Sequence, residues 1–221
     1  MKKCIILASF IFISLFQGNL FDSKTVAVIT KVVNDVHTKA GDNNWAKAKN
    51  GQTLKLSDAL KTGNKSLALV KFTDNSVLTV RENSTILIGT EVNKKGVPEI
   101  INVEKGVIGF NIEKQEVEDF KFTTPQLIAA IRGTAGQIIT QGDTTIVALK
   151  SGEILINALQ GVKQSSILKA GEFVLVTKEG IVNSLPIPEQ LQLLLDSNLK
   201  INLKKLIIKT DNGEIIIEYL E

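Results

Sequence analysis

An all-β fold of many short strands, layered as a sandwich or a roll, is what this sequence predicts. Three observations predict it. Turn signals built from Gly, Asn, Asp and Ser recur about every eight to twelve residues from Gly51 to Thr177. The segments between them are short and dominated by Val, Ile, Leu and Thr, residues that fit a pleated surface. At 221 residues, 43% apolar and 22% charged, the chain holds one sizeable globular domain plus an appendage. The turn spacing is not strict enough to predict a repeat protein, so a short solenoid ranks just behind sandwich and roll.

The N-terminus has the pattern of an export signal. Met1-Lys2-Lys3 is a positive n-region, and Cys4 to Phe16 is an almost unbroken apolar run, too short to span a bilayer comfortably. Residues 1–18 therefore read as a signal peptide with its cut between 18 and 23, and an uncleaved anchor is the alternative. Cys4 stands at the start of the apolar run and not after it, so it is not a lipid-attachment cysteine. The expected location is periplasmic or secreted.

Residues 25–185 form the predicted β domain. Thr25 to Val36 reads as one strand. Thr38 to Asn50 is a polar connection that carries Trp45, the only tryptophan. A lone tryptophan in a small β domain plugs the end of the core; a stacking platform for sugar is the other reading. Leu56 to Gly63 leads to a strand over Ser66 to Phe72, the turn Thr73-Asp74-Asn75-Ser76, a strand over Val77 to Val80 and the turn Arg81 to Ser84. Asp-Asn between two apolar runs is hairpin chemistry, because both residues tolerate left-handed backbone. Ile86 to Ile88, Glu99 to Val103 and Val107 to Ile112 continue the series, with turns at 93–96 and 104–106. Glu113 to Asp119 is acidic and reads as a solvated hairpin tip. Thr145 to Leu149, Glu153 to Asn157 and Glu172 to Thr177 are further strands, separated by turns at 141–144, 151–152, 161–164 and 169–171.

Residues 186–221 change character. Pro186 and Pro188 mark the boundary, Glu189 to Leu199 reads as a short helix, and 201–209 with 214–219 read as a hairpin whose Asn212-Gly213 is a type I′ signal. The tail is packed on the domain or offered to a partner.

Between 122 and 138 the text is F-T-T-P-Q-L-I-A-A-I-R-G-T-A-G-Q-I. Pro125 biases Thr124 to extended backbone, an apolar run follows, and Arg132-Gly133-Thr134 breaks it as a tight charged corner before a second strand. This T-P…R-G-T stretch resembles the core of the FecR domain, a bacterial extracytoplasmic module. Upstream, Trp45, then G-x-x-L, then Asp58-x-Leu60-x-Thr62-Gly63, then F-x-D-N-S are similar to the same family, with Asn75 standing where the family has glycine. Downstream, the hairpins around Gly152 and Gly171 look like its closing segment. The resemblance spans Val28 to Val182 and does not cover the tail. It implies a set of family-motif residues, Trp45, Asp58, Thr62, Gly63, Pro125, Arg132, Gly133, Thr134, Gly152 and Gly171, whose roles are mostly structural. In its best-known members the domain senses a TonB-dependent outer-membrane receptor, and a cytoplasmic arm controls a sigma factor. Only three residues precede the apolar run here, so such an arm is not expected.

Little enzymatic chemistry is written in the chain. One histidine, His37, and one cysteine, Cys4, leave no triad, disulfide framework or cysteine-rich zinc site to build. Asp58, Asp74, Asp143 and Glu153 sit singly at turns. Asp58 reads as a turn cap that bonds backbone N–H groups, and Arg132 as a guanidinium that ties carbonyls together inside its corner. The glycines are dispersed, without a phosphate-cradling motif. Formal charge is +3, and without Lys2 and Lys3 the balance is 24 basic against 23 acidic residues, so nucleic acid is not an expected partner. The expectation is a non-enzymatic binding module without metal or cofactor. Its partner would be an envelope protein, either an outer-membrane receptor or a signalling protein; the alternative is cell-wall glycan.

Overall fold

The computed structural model describes residues 25–93, 96–114, 120–161, 164–189, 191, 203–210 and 213–220. The predicted signal peptide lies outside them, as do most of the acidic tip at 113–119 and the Asn212 turn residue. Of the predicted helix only Glu189 and Leu191 are described, and both are helical.

Seventeen strands hydrogen-bond into one continuous sheet that does not close, folded into two facing leaves. The chain crosses between the leaves repeatedly. β1 (Thr25–Val33) lies in the first leaf, β2 (Val36–Lys39) and β3 (Ala46–Lys47) in the second, β4 (Thr53–Lys55) in the first and β5 (Ala59–Thr62) in the second. β6 (Leu67–Phe72) and β7 (Val77–Val80) form a hairpin in the first leaf, and β8 (Thr85–Ile88) returns to the second. β9 (Ile100–Asn111) belongs to both. Its start pairs with β8, and its end with β7.

After β9 the alternation becomes regular. β10 (Phe120–Thr123) and β11 (Leu127–Ile131) lie in the second leaf, β12 (Ala135–Gln141) and β13 (Thr144–Ser151) in the first, β14 (Glu153–Ala158) and β15 (Ser165–Lys169) in the second, and β16 (Glu172–Thr177) and β17 (Gly180–Pro186) in the first. The first leaf therefore runs β4-β1-β6-β7-β9-β12-β13-β16-β17, and the second β3-β2-β5-β8-β9-β10-β11-β14-β15. All pairs are antiparallel except β9 with β10. β18 (Leu203–Thr210) and β19 (Gly213–Leu220) form a separate two-stranded sheet.

The chain turns from leaf to leaf where its side chains allow it. Asn34, with φ 57°, splits the single strand expected over 25–36 into β1 and β2, because a left-handed residue cannot continue a strand. Within β9 the crossing is at Gly106, with φ 102°, where a Cβ would lie 2.4 Å from the Cα of Ser84. The pairing with β8 shifts register just before this point, so the buried positions change from Ile101 and Val103 to Ile108 and Phe110.

From Leu127 onward the leaf changes are periodic, a regularity stricter than the turn spacing suggested. The corner glycines Gly133, Gly152 and Gly171 recur every 19 residues, and so do the hairpin-tip glycines Gly142, Gly161 and Gly180; all six have positive φ. Each 19-residue unit is strand, corner, strand, tip, with the corners at one end of the roll and the tips at the other.

The core lies between the leaves. Phe72 and Phe110 of the first leaf meet Phe120 and Phe122 of the second, with ring centroids 5.8 Å apart for Phe72–Phe120, 5.3 Å for Phe110–Phe122 and 5.2 Å for Phe120–Phe122. A second apolar cluster sits on the outer face of the first leaf, where Val107, Ile139, Ile146, Phe173 and Leu175 are buried with Leu191, and the half-buried Ile187 packs against them. The chain after Pro186 thus folds back over that face, and the middle strands of the first leaf are buried on both sides.

Candidate functional site

Two clefts open beside these elements, and their charges are opposite. The larger, about 650 Å³, is a groove on the outer face of the first leaf, lined by Leu69, Thr79, Arg81, Gly109, Gln137 and Lys150 among others. Among the described residues it holds two cationic side chains and no acidic one. It continues the sheet face that the tail covers further along. The smaller, about 450 Å³, lies where β8, β9 and β10 meet, and is lined by Leu87, Glu91, Glu99, Ile100, Asn102 and Thr123. Its only charged lining residues, among those described, are acidic.

The family-motif residues form joints of the scaffold and do not converge on either cleft. Asp58 is buried at the entry to β5, and its Oδ2 accepts the N–H of Lys55 at 2.9 Å. Burial pushes its carboxyl above the ordinary 3.8, while the Lys55 N–H and charge pull the other way. The charged form is therefore less favourable folded than unfolded, and its cost is absent below the unfolded value and full above the folded one. Asp58→Asn keeps an oxygen for the Lys55 N–H and sheds the charge. It is expected to melt at or above wild type at pH 7, with the gap shrinking as pH falls towards 3. A variant less stable than wild type at neutral pH, with the deficit vanishing in acid, would show the opposite linkage.

Thr62 and Gly63 tie three turns together. The Thr62 hydroxyl donates to the Arg81 carbonyl and accepts the Ser84 N–H at 3.0 Å, and the Gly63 N–H donates to the Asp35 carbonyl at 2.7 Å. Pro125 sits exposed in the β10–β11 turn. Arg132 lies exposed at the corner between β11 and β12, and the corner's interior holds Thr134, which is 1% exposed. Gly133 turns this corner with φ 64°, and the Thr134 carbonyl accepts the Ile112 N–H at 2.9 Å. Gly152 presses on the same corner from the next unit, and Gly171 turns the one after, with nothing within 4 Å of where its Cβ would be.

Trp45 departs from its expected role. It does not plug the core: it precedes the two-residue edge strand β3, is 37% exposed, and carries the Lys61 ammonium 4.4 Å from its ring centroid. One ring face is thereby covered by a cation. His37 is a half-buried strand residue, 3.5 Å from the exposed Asp35 carboxylate.

Sequence reasoning missed a buried polar network at the tip end. The Thr145 hydroxyl lies 2.7 Å from Gln126 Oε1, 3.1 Å from Thr124 Oγ1 and 3.2 Å from Thr140 Oγ1. The Gln126 amide donates to the Gly142 carbonyl at 3.1 Å, and Thr124 Oγ1 accepts the Gln126 and Leu127 N–H groups. All four side chains are at most 3% exposed. The available signal was Thr140 and Thr145, polar residues at positions that the alternation of β12 and β13 places inside; Thr124 and Gln126 lie in the β10–β11 turn, where no alternation applies.

Among the described residues no group of three His, Cys, Asp or Glu side chains could hold a metal, and no helix is long and apolar enough to cross a membrane. What the elements define is a two-leaved all-β roll with clefts of opposite charge. Residues 58–155 match the family described as FecR protein, so this stretch of the chain is a FecR domain. The matched span is narrower than Val28 to Val182; it leaves out Trp45 and Gly171. Two crystal structures of a Parabacteroides distasonis protein described as an anti-sigma factor share the fold, each with a TM-score of 0.52 and 17% identity over 65% of this chain and 67% of that one. Among curated proteins none matches.

Proposed function

We infer that this protein is an exported, non-enzymatic regulatory module that acts in the bacterial envelope by binding a signalling protein. The observation that carries the reading is the FecR domain itself, set in a fold shared with a protein described as an anti-sigma factor. The apolar run at residues 4–16 behind two lysines supports export, and with it a periplasmic or secreted location. The tail supplies the contact surface. The hairpin β18–β19 pairs with no other described strand, so both of its edges offer backbone groups to a partner.

The test is affinity capture from native envelope with the full chain as bait, beside a chain ending before Leu203. Stopping there keeps Ile187 and Leu191 on the apolar face that they cover. A stoichiometric envelope protein bound by the full chain and lost on truncation is the expected result. Capture that the truncation leaves intact would remove the hairpin from the contact. Retention on insoluble peptidoglycan with no protein partner, abolished by Trp45→Ala, would overturn the reading in favour of a wall-binding module.

A further inference from the structure

The second leaf ends in an open strand, and its backbone parity can be worked out. Ala158 donates to the Gln164 carbonyl at 3.1 Å, and Ala170 to the Gly152 carbonyl at 3.0 Å. In an antiparallel ladder hydrogen-bonded pairs alternate. Ser166 and Leu168 therefore bond inward to β14, while the peptide groups of Ser165, Ile167 and Lys169 face away from it. Of these, only the Lys169 N–H is capped, by Glu172 Oε2 at 3.0 Å. β15 pairs with no other described strand.

At the centre of this edge the outward side chain is apolar, and the strand's one charge, Lys169, stands at its end. Ile167 is 55% exposed and stands opposite Leu155, which is 42% exposed; Ala130 lies opposite Leu155 on the other side. Ala130, Leu155 and Ile167 make an apolar row across the outer face of the second leaf, and the row runs out at the edge. The next unit of the repeat would have supplied the covering strand. Instead, the unit that begins with β17 meets Pro186 and Pro188, and position 190, where the next corner glycine would fall, is Gln190.

We propose that β15 is a two-fold docking edge for a second copy of this chain. The strand Ser165–Lys169 is centred on Ile167, so antiparallel pairing about that residue sets Ile167 against Ile167 and Ser165 against Lys169 of the second copy. The two Ile167 peptide groups exchange both of their hydrogen bonds. Each Ser165 N–H meets the Lys169 carbonyl opposite. No like charges face each other, and the apolar row doubles to Leu155-Ile167-Ile167-Leu155, continuous across the axis. A two-fold axis makes the contact isologous and closed, which limits it to a dimer.

Sedimentation equilibrium of the full chain in mild detergent tests this, using wild type, Ile167→Lys and Ile167→Pro. Wild type is expected to double in mass as concentration rises. Both substitutions are expected to weaken association at least about tenfold. Lysine does so by placing charge at the axis. Proline does so by removing an N–H that the internal ladder does not use, whereas Ser166→Pro would break that ladder. Ile167→Lys keeps the comparison intact if the proline variant folds poorly, because the side chain already faces solvent. A wild type that stays monomeric, or a dimer that survives Ile167→Lys, would overturn the proposal. So would a monomer whose β15 edge captures an extended peptide, since the edge would then belong to a different partner.

Discussion

Gly152→Ala is expected to destabilise the domain by about 2–5 kcal/mol, whereas Gly171→Ala, at the equivalent position one unit later, costs only about 1–2 kcal/mol. Both glycines turn the chain between leaves with φ near 84°, so an alanine at either carries the left-handed penalty. Only at Gly152 does the new Cβ collide, 2.3 Å from the Thr134 methyl and 3.0 Å from the Gly133 carbonyl. For a chain of this size Gly152→Ala should lower the melting temperature by roughly 10 °C. Thr134→Ser removes the methyl, so adding it to Gly152→Ala should recover the contact part and leave the conformational part, bringing the double variant close to Gly171→Ala. Equal losses at Gly152 and Gly171 would show that the corners do not touch as described.

Thr145→Val has the second large effect, a loss of about 2–3 kcal/mol with almost no change in volume. Valine fills the same space but leaves Gln126 Oε1, Thr124 Oγ1 and Thr140 Oγ1 without a shared hydroxyl in a region closed to water. Thr145→Ser keeps the hydroxyl and loses one methyl, worth about 0.8 kcal/mol. Chemical denaturation of the two variants separates the terms. If valine were no worse than serine, the network would contribute nothing and the threonines would be simple fillers.

How much of this was legible in the sequence differs from element to element. The short strands and their turns were, because β-branched runs and left-handed residues such as Asn75 act locally. The FecR resemblance rested on the same local text, and Asp58 caps its turn as expected. The 19-residue period was also present, in the spacing of Gly133, Gly152 and Gly171. It was obscured because a corner glycine and a tip glycine alternate within each unit, giving unequal gaps. The unbroken runs Ile146 to Leu149 and Phe173 to Val176 carried a further signal: a strand that is apolar at every position is covered on both faces. The covering element, the chain around Leu191, could not be read locally, since its partners lie up to 84 positions upstream at Val107. Trp45 failed for a similar reason. Its ring carries Lys61 of β5, which lies beyond β2 from β3, and no composition rule reports that pairing.

The periodic half of the roll has a consequence for how such a chain can change length. Every unit carries the chain from one leaf to the other, so the leaf on which the chain finishes depends on whether the number of units is odd or even. Inserting a single unit would deliver the tail to the second leaf and strand the apolar face that Ile187 and Leu191 now cover. Two units restore the exit to the same side. Lineages of this roll can therefore grow or shrink smoothly only by pairs of units, and a change by one unit demands a new cover for an old surface.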